Sequence, residues 1–309
     1  MGFWADIIAL LAATCWAGAN TCIARGSSHQ GGENGAFLSI LLTALIAGVV
    51  WLIGGGTDWQ ALNMTGLAWF AAAGALTIFV GRVFFHASVQ YMGAVRSSSV
   101  KRLVPLFSVV LGVLCLGESL NLSTELGMVL IFAGFGVLVW ESKQKIAAFD
   151  PSGAVHQGPT RQTLRMGMVY GVVSAGAYAA GNMSRKYGLL HISEPAFGAM
   201  FGALVGAILF LASAVFLQSY REAVKNTLQK PNPWLLSAGI LASAGQLLYF
   251  VAIDWSSLSR ATLIVSMDVF LTILVALVFF QKREAVNRYA VLAAALGVLG
   301  TGVIIGGSV

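Results

Sequence analysis

Charged residues are scarce in this sequence: they make up 10% of its 309 residues, with 12 acidic side chains against 18 lysines and arginines. A soluble domain carries about 25% charged residues, because its surface faces water. Since 58% of the residues are hydrophobic, the chain cannot cover a water-facing surface with polar groups. The composition therefore excludes an ordinary soluble protein and predicts a membrane protein that crosses the bilayer several times.

Cysteine pairs and catalytic motifs are also lacking. Cys15, Cys22 and Cys115 lie in apolar runs without a CxxC pair, so we expect small buried hydrophobic side chains and not disulfides or metal ligands. No HExxH, GxSxG or Walker motif is present. These absences argue against an intramembrane enzyme, a bound metal or cofactor, and direct drive by ATP.

The net charge of +6 does not indicate a nucleic-acid partner, because no basic-aromatic platform or recognition motif accompanies it. The basic residues lie mostly in short loops between apolar runs. The expected partners are therefore the lipid bilayer and a small-molecule substrate. The sequence leaves the oligomeric state open, with a homodimer as one option.

Ten apolar runs are long enough to cross the membrane as helices, for which about 20 residues are needed. One long polar stretch, 142–165, separates five of them from the other five. We predict it to be a linker between two domains, 1–141 and 166–309. The predicted spans are 3–24, 34–54, 65–91, 94–116, 121–141, 166–187, 195–218, 233–254, 260–280 and 288–307.

The two domains resemble each other. Shifts of 162 to 166 residues place Trp16 on Tyr178, Asn20 on Asn182, Gly81 on Gly245, Arg96 on Arg260, Glu118 on Glu284, Asn121 on Asn287 and Gly134 on Gly300. The order and the nearly constant offset predict a duplicated five-helix unit. Because five is odd, the second copy crosses the membrane in the opposite sense. Transporters with such inverted repeats place a substrate site near the midplane between the halves.

The segment LVPLFSVVLGVLCLGESLNLSTELGMVLIFAGFGVLV at 103–139 resembles the fourth helix, Gly-Glu turn and fifth helix of the drug/metabolite transporter superfamily. WAGAN at 16–20 and SRKYG at 184–188 resemble the ends of that family's first and sixth helices. The resemblance, to the EamA-like branch, covers both halves. It implies an all-α membrane protein with ten transmembrane helices as two inverted five-helix repeats. The second half departs from the pattern, because no proline stands at the counterpart of Pro105.

The loop charges predict the orientation. Twelve lysines and arginines follow the odd-numbered spans, and only Arg185, Lys186 and Arg260 are assigned to loops on the other side. Cytoplasmic loops carry the excess of positive charge, so we predict both termini outside the cytoplasm. The family that the chain resembles usually keeps its termini in the cytoplasm.

Five ionisable residues fall inside predicted spans: Arg82, His86, Lys101, Arg102 and Asp268. A charge at a helix centre costs roughly 2.5–3.5 kcal/mol on insertion scales, so such residues normally face a partner or a water-filled cavity. The alternatives are a structural ion pair or a backbone-carbonyl clamp for Arg82, a packed histidine, and snorkelling of Lys101 and Arg102 to the headgroups. Asp268 is a counter-ion for Arg102 or Lys101 in this interpretation, and a fixed salt bridge among the three is its alternative.

Three cationic groups against one acid predict a cavity built for an anion, since the planar guanidinium grips carboxylate, sulfonate or phosphate with two hydrogen bonds. The resulting prediction is a secondary transporter of small organic anions in the cell (inner) membrane. An exporter of neutral or zwitterionic metabolites such as amino acids is the alternative. Six uncharged residues are predicted to line the cavity with the charged ones: Trp16, Asn20, Tyr178, Asn182, Gln246 and Tyr249.

Overall fold

A computed structural model of the chain describes residues 2–27, 35–56, 62–92, 94–148, 161–229, 232–280 and 288–307. Every regular element in these ranges is helical. The elements are α1 (Gly2–Ser27), α2 (Ala36–Ile53), α3 (Met64–Gly74), a π-helical segment (Ala75–Val80), α4 (Gly81–Met92), α5 (Ala94–Lys101), α6 (Val104–Leu116), α7 (Leu122–Ala148), α8 (Arg161–His191), α9 (Pro195–Phe216), α10 (Gln218–Gln229), α11 (Pro233–Trp255), α12 (Leu258–Val265), α13 (Asp268–Phe280) and α14 (Arg288–Gly306).

The predicted membrane architecture is confirmed. Within the described ranges, eight helical stretches are long and apolar enough to cross a membrane, and Val291–Gly306 is a shorter apolar helix. The sixth predicted span lies in α8, which is less apolar but has 31 residues; at 1.5 Å per residue it exceeds the hydrocarbon core of about 30 Å. α7 and α8 extend into the predicted linker from both sides, and its residues 149–160 lie outside the described part of the chain.

Asparagine side chains begin several of these helices. Asn63, Asn121 and Asn232 accept hydrogen bonds from the backbone N–H groups of Thr65, Thr124 and Trp234 at 2.9, 3.0 and 2.9 Å. Each cap satisfies an N–H group that has no partner within its own helix. These three asparagines between apolar runs therefore mark where α3, α7 and α11 begin.

Three of the predicted spans are not single regular α-helices. The third contains the π-helical segment between α3 and α4. The fourth is interrupted at Arg102 and Leu103, and the ninth at Ser266 and Met267. The two interruptions coincide when the halves are shifted by 164 residues. Since only the first is followed by a proline, Pro105 does not cause the interruption by itself.

Helix packing follows the repeat. α1 packs against α11, α12 and α13, just as α8 packs against α3, α4, α5 and α6. α2 packs against its counterpart α9, and α7 packs against its counterpart α14. Exchanging the two halves maps these contacts onto one another, which is the packing expected of an internal two-fold axis.

Residues that the repeat relates make equivalent contacts in the two halves. A Cβ added at Gly81 would lie 2.9 Å from the ring of Tyr178, and one added at Gly245 would lie 2.8 Å from the ring of Trp16. The two contacts are related by the repeat, and each joins one half to the other. In each case glycine lets an aromatic ring of the opposite half lie against the helix backbone.

One end of the bundle, which we call the terminal face, carries the beginning of α1, the α6–α7 and α11–α12 turns, and the end of α14. Arg260 in α12 binds both carboxylate oxygens of Asp6, at 2.7 and 2.8 Å, and the carbonyl oxygen of Ile304. Glu118 follows Gly117, whose φ of 66° is left-handed. Its carboxylate accepts from the N–H groups of Leu258 and Ser259 at 2.5 and 2.9 Å, at the beginning of α12.

Three loop assignments and one burial prediction are wrong. Arg260 lies in α12 and is paired with Asp6. Lys186 lies in α8, which continues to His191, and donates to the carbonyl oxygens of Ile253, Asp254 and Ser256 at the end of α11. Arg185 is buried in the same helix. Polar partners inside the protein allow these cations to lie within helices. The three cysteines are free as predicted, but Cys15 and Cys22 are only half-buried and Cys115 is exposed.

A polar cavity between the repeats

A cavity of about 840 Å³ lies between the two halves. The interruptions of the fourth and ninth spans both border it, through Arg102 and Ser266. The π-helical segment borders it as well. Because π turns set residues five apart over one another, Thr77 and Arg82 both line the cavity.

The structure brings together ten of the eleven residues that the sequence predicted to bind substrate. The lining includes Trp16, Asn20, Arg82, Lys101, Arg102, Tyr178, Asn182, Gln246, Tyr249 and Asp268. The eleventh is His86, whose side chain lies outside the described part of the structure. Their contact with a substrate stays a prediction.

Lys101 and Arg102 line the cavity, where aromatic rings lie beside their charged groups. The ammonium of Lys101 lies 5.0 Å from the ring centre of Phe85 and 4.9 Å from that of Tyr178, and the guanidinium of Arg102 lies 5.9 Å from Phe135. Such cation–π contacts contribute about 0.5–2 kcal/mol each. Aromatic faces stabilise a cation without neutralising it, so the positive potential of the cavity is retained.

Asp268 is the acidic side chain of the described lining. It lies in the first turn of α13, where a helix dipole favours negative charge. It also lies within electrostatic range of Lys101 and Arg102. The predicted counter-ion is therefore in the same cavity as the cations it was assigned to.

Arg82 is half-buried, and its Nη1 is a buried donor for which no described residue provides an acceptor. Leaving a buried donor unsatisfied costs about 1–3 kcal/mol, and more when the group is charged. This geometry leaves one N–H corner of the guanidinium available to a molecule in the cavity.

Sequence reasoning missed Arg185, which is 9% exposed and lines the cavity. Its Nη1 donates to Asn182 Oδ1 at 3.2 Å, and its Nη2 donates to Thr77 Oγ1 at 3.3 Å. With the carboxamide of Gln246 oriented so that its oxygen faces the guanidinium, that oxygen accepts from Nη1 and Nη2 at 3.1 and 3.3 Å. Both terminal nitrogens of Arg185 therefore have neutral acceptors within the protein.

A signal for Arg185 existed in the sequence. It stands three residues after Asn182, which places both on one face of a helix. The adjacent Lys186 and the following Tyr-Gly made the pair resemble the polar end of a span. Only the continuation of α8 to His191 shows that Arg185 is inside.

Uncharged polar groups of the cavity are bonded mainly across the two halves. Tyr249 OH lies 2.8 Å from Thr262 Oγ1, and Trp16 Nε1 donates to Ala242 O at 3.3 Å. Asn20 Nδ2 lies 3.5 Å from Thr272 Oγ1, and Asn182 Nδ2 lies 3.4 Å from Ser108 Oγ. These amide contacts are long, so the two asparagines can bind a ligand at little cost.

The cavity is more accessible at the end away from the terminal face, which we call the opposite face. Residues related by the repeat differ in exposure: Asn20 is exposed, whereas Asn182 is 8% exposed. Lys101 is exposed, whereas its counterpart Val265 is 7% exposed. Asn20 lies about two turns before the end of α1, and Lys101 ends α5, the short helix that begins at the opposite face. Solvent therefore reaches the cavity from that side.

An all-helical membrane bundle built from two inverted halves around a polar cavity defines a class, the membrane transporters of small molecules. The chain belongs to the EamA-like transporter family, which matches residues 3–140 and 165–306. The predicted resemblance to the drug/metabolite transporter superfamily is thereby confirmed. This is a family of transporters and not, in general, of enzymes.

The fold is also similar to that of solved structures. One, titled "Crystal structure of protein", has a TM-score of 0.66 and 18% sequence identity, with 98% of each chain covered. At this identity the likeness shows the fold alone. No curated protein matches the sequence.

Proposed function

We propose that the protein is a secondary transporter that moves small organic anions across the cell (inner) membrane by alternating access between its two halves. Carboxylate, sulfonate and phosphate groups are the anions considered. The observation that carries the proposal is the charge of the cavity. Its described lining holds the cations Arg82, Lys101, Arg102 and Arg185 against Asp268 alone.

Arg82 is the proposed contact to the anionic group, because its Nη1 is buried without an acceptor. An anion that accepts from this atom forms a charge-assisted hydrogen bond, which is roughly twice as strong as a neutral one. Lys101 and Arg102 attract the anion as it enters. Asp268 holds these two cations when the cavity is empty.

The direct test is Arg82→Gln in proteoliposomes. We expect transport of anions to be lost while the protein still elutes as a folded species in detergent. Arg165→Gln is the matched control, since Arg165 is an exposed arginine of α8 that does not line the cavity. Normal transport by Arg82→Gln would contradict the site assignment, and failure of that variant to fold would show a structural role.

Asp268 supports the second candidate, transport of zwitterions such as amino acids, because a carboxylate in the cavity can receive an ammonium group. Arg82 would then bind the carboxylate of the substrate. A thermal-shift screen with carboxylates, phosphates, sulfonates and amino acids separates the candidates. If decarboxylated amines stabilise the protein as well as the acids do, both anion-centred proposals are wrong.

A further inference from the structure

Each half of the chain contributes one arginine to the cavity at a position where the other half has none. The repeat places Arg82 on Gln246 at a shift of 164 residues, and Ile23 on Arg185 at a shift of 162. All four residues line the cavity. The cavity thus contains two half-sites related by the internal two-fold axis. One pairs Arg185 with Gln246, and the other has Arg82 and Ile23 at the corresponding positions.

The two half-sites differ in their hydrogen bonds. Arg185 donates from both terminal nitrogens, and the Gln246 oxygen alone accepts from both, at 3.1 and 3.3 Å. Ile23, at the position equivalent to Arg185, has no polar side-chain atom to offer. Arg82 Nη1 lies buried without an acceptor among the described residues. Both terminal nitrogens of Arg185 therefore have acceptors within the protein, whereas Nη1 of Arg82 is left to bind a ligand.

The helices that carry these residues also pack differently in the two half-sites. α8, which carries Arg185, packs against α11, which carries Gln246. In the described part of the chain, no comparable packing joins α1 to α3 or α4, the equivalent pair. The half-site of Arg185 is thus closed, with Asn182 8% exposed, and the equivalent residue Asn20 is exposed. Two copies of one fold adopt two arrangements, closed beside the terminal face and open toward the opposite face.

Exchange of these arrangements between the halves turns the cavity toward the terminal face, since the repeats are inverted. α11 then separates from α8, as α4 is now separated from α1. Gln246 is withdrawn from Arg185, and two N–H donors of a buried guanidinium lose their acceptor. Water or an anion in the open cavity then accepts from these N–H groups, and a carboxylate does so through charge-assisted hydrogen bonds, which are the stronger ones.

We propose that Arg185 is the second anion-binding residue of this transporter, used when the cavity opens to the terminal face, and that the substrate's carboxylate then takes the place of the Gln246 carboxamide. This inference rests on the proposed function. The carboxylate is favoured over sulfonate and phosphate because it is planar and has the size and shape of the carboxamide it replaces. Arg82 thus binds the carboxylate when the cavity is open to the opposite face, and Arg185 binds it when the cavity is open to the terminal face.

The test is uptake measured separately from each face. Proteoliposomes with the protein in one orientation are assayed with radiolabelled benzoate, pyruvate, glutarate and glutamate, and the one that the wild type transports fastest serves as the probe. We expect Arg82→Gln to raise KM at least tenfold for entry from the opposite face. Arg185→Gln should raise KM at least tenfold for entry from the terminal face and less than threefold from the other. Arg165→Gln should leave both values unchanged.

Two further variants cover the case in which Arg185→Gln does not fold. Arg185→Lys keeps the charge but loses the planar fork, so a smaller rise of KM confined to the terminal face is expected. Gln246→Glu is isosteric and supplies a permanent carboxylate to Arg185, so it should suppress terminal-face entry by competing with the probe. The corresponding sulfonates and phosphonates should inhibit terminal-face entry less than the carboxylate does.

Equal rises of KM at both faces in the Arg185 variants would overturn the inference, as would an unchanged terminal-face KM in Gln246→Glu. Either result leaves the proposed function intact if the wild type transports a carboxylate. If the wild type transports none of the four probes and no other anion of the thermal-shift screen stabilises it, the proposed function itself is wrong.

Discussion

Buried cations of this protein are compensated in three different ways, and the partner determines what each can do. Arg260 is neutralised by the carboxylate of Asp6. Lys186 binds backbone carbonyl oxygens at the end of α11. Arg185 binds the neutral acceptors Asn182 and Thr77, which stabilise its N–H groups but leave its charge uncompensated. Of the three, only Arg185 lines the cavity, and it adds positive potential there because amides and hydroxyls do not neutralise a guanidinium.

The Asp6–Arg260 pair is expected to be essential for stability. Asp6 is 1% exposed and its two oxygens bind one guanidinium at 2.7 and 2.8 Å. Removing one partner of a buried pair costs about 3–5 kcal/mol, because the other charge is left unpaired. Asp6→Asn should therefore lower the thermal midpoint in detergent markedly. The measurement is a melting curve followed by tryptophan fluorescence.

The double variant Asp6→Leu/Arg260→Met separates the pair from its two charges. A buried pair replaced by apolar residues of similar volume often loses little stability. We expect the double variant to be more stable than Asp6→Asn, although the Ile304 carbonyl loses its donor. An Asp6→Asn protein with an unchanged midpoint would contradict the importance of the pair.

At the scale of helices, the interruptions at Arg102–Leu103 and Ser266–Met267 place the N-termini of α6 and α13 at the cavity. A helix N-terminus carries about half a positive charge. In α13 this charge faces Asp268 of the same helix, whereas α6 begins with Val104 and has no acidic residue in its first turn. The broken helix of the first half therefore adds to the positive potential near Lys101 and Arg102.

Contact between α7 and α14 depends on glycine at particular positions. A Cβ at Gly300 would lie 2.7 Å from the carbonyl oxygen of Gly127, whereas one at Gly302 would meet nothing within 4 Å. Gly300→Ala should thus destabilise the protein by about 1–3 kcal/mol, the usual cost of overpacking. Melting temperatures of the purified variants in one detergent measure the difference.

Gly302→Ala is the matched control, because it makes the same chemical change two residues away in the same helix. Alanine is the better helix former by about 0.8–1.0 kcal/mol, so this variant should be as stable as the wild type or slightly more so. Equal loss of stability in both variants would show that the α7–α14 contact is not as close as described.

For the whole molecule, the symmetric packing of the two halves contrasts with their different exposure. The same helix neighbours recur in each half, yet the cavity is open beside Asn20 and closed beside Asn182. Two inverted units in unequal arrangements are the physical basis of the alternating access proposed above. Polar contacts of Glu118, Lys186 and Arg260 join helices at the terminal face.

The structure also sharpens the prediction of orientation. Arg185, Lys186 and Arg260 lie in helices with partners inside the protein, so none of them counts as a loop charge on the terminal face. The other twelve cations that the sequence assigned to loops all follow odd-numbered spans, and several of them, such as Arg96 in α5 and Arg165 in α8, lie near helix ends on the opposite face. The positive-inside rule therefore predicts the terminal face, with both termini, outside the cytoplasm.

Reporter fusions measure this orientation. A reporter that is active only in the cytoplasm should be inactive at the C-terminus and active when fused after residue 155, beyond the fifth span. The second fusion is the control, since an odd number of spans separates it from the N-terminus. Activity at the C-terminus alone would reverse the assignment and show that loop charge does not set the topology of this chain.

The amino-acid sequence alone determined the all-helical membrane class, because too few charges are available to cover a surface in water. It also gave the register of the two halves, since Trp16, Tyr178, Gly81 and Gly245 recur at nearly constant shifts. It identified ten residues of the cavity lining, because a polar group inside hydrocarbon costs free energy unless it faces a partner or a water-filled cavity. Local patterns of this kind depend on one helix at a time.

Only the tertiary structure placed Arg185 inside the cavity, joined Asp6 to Arg260, and showed which end of the cavity is open. These features depend on groups that are far apart in the chain, such as the contact of Arg185 with Thr77. Whether a cation beside the end of an apolar run faces water or the interior depends on the acceptors that other helices bring to it. The spacing of residues within one helix does not show which acceptors the other helices provide.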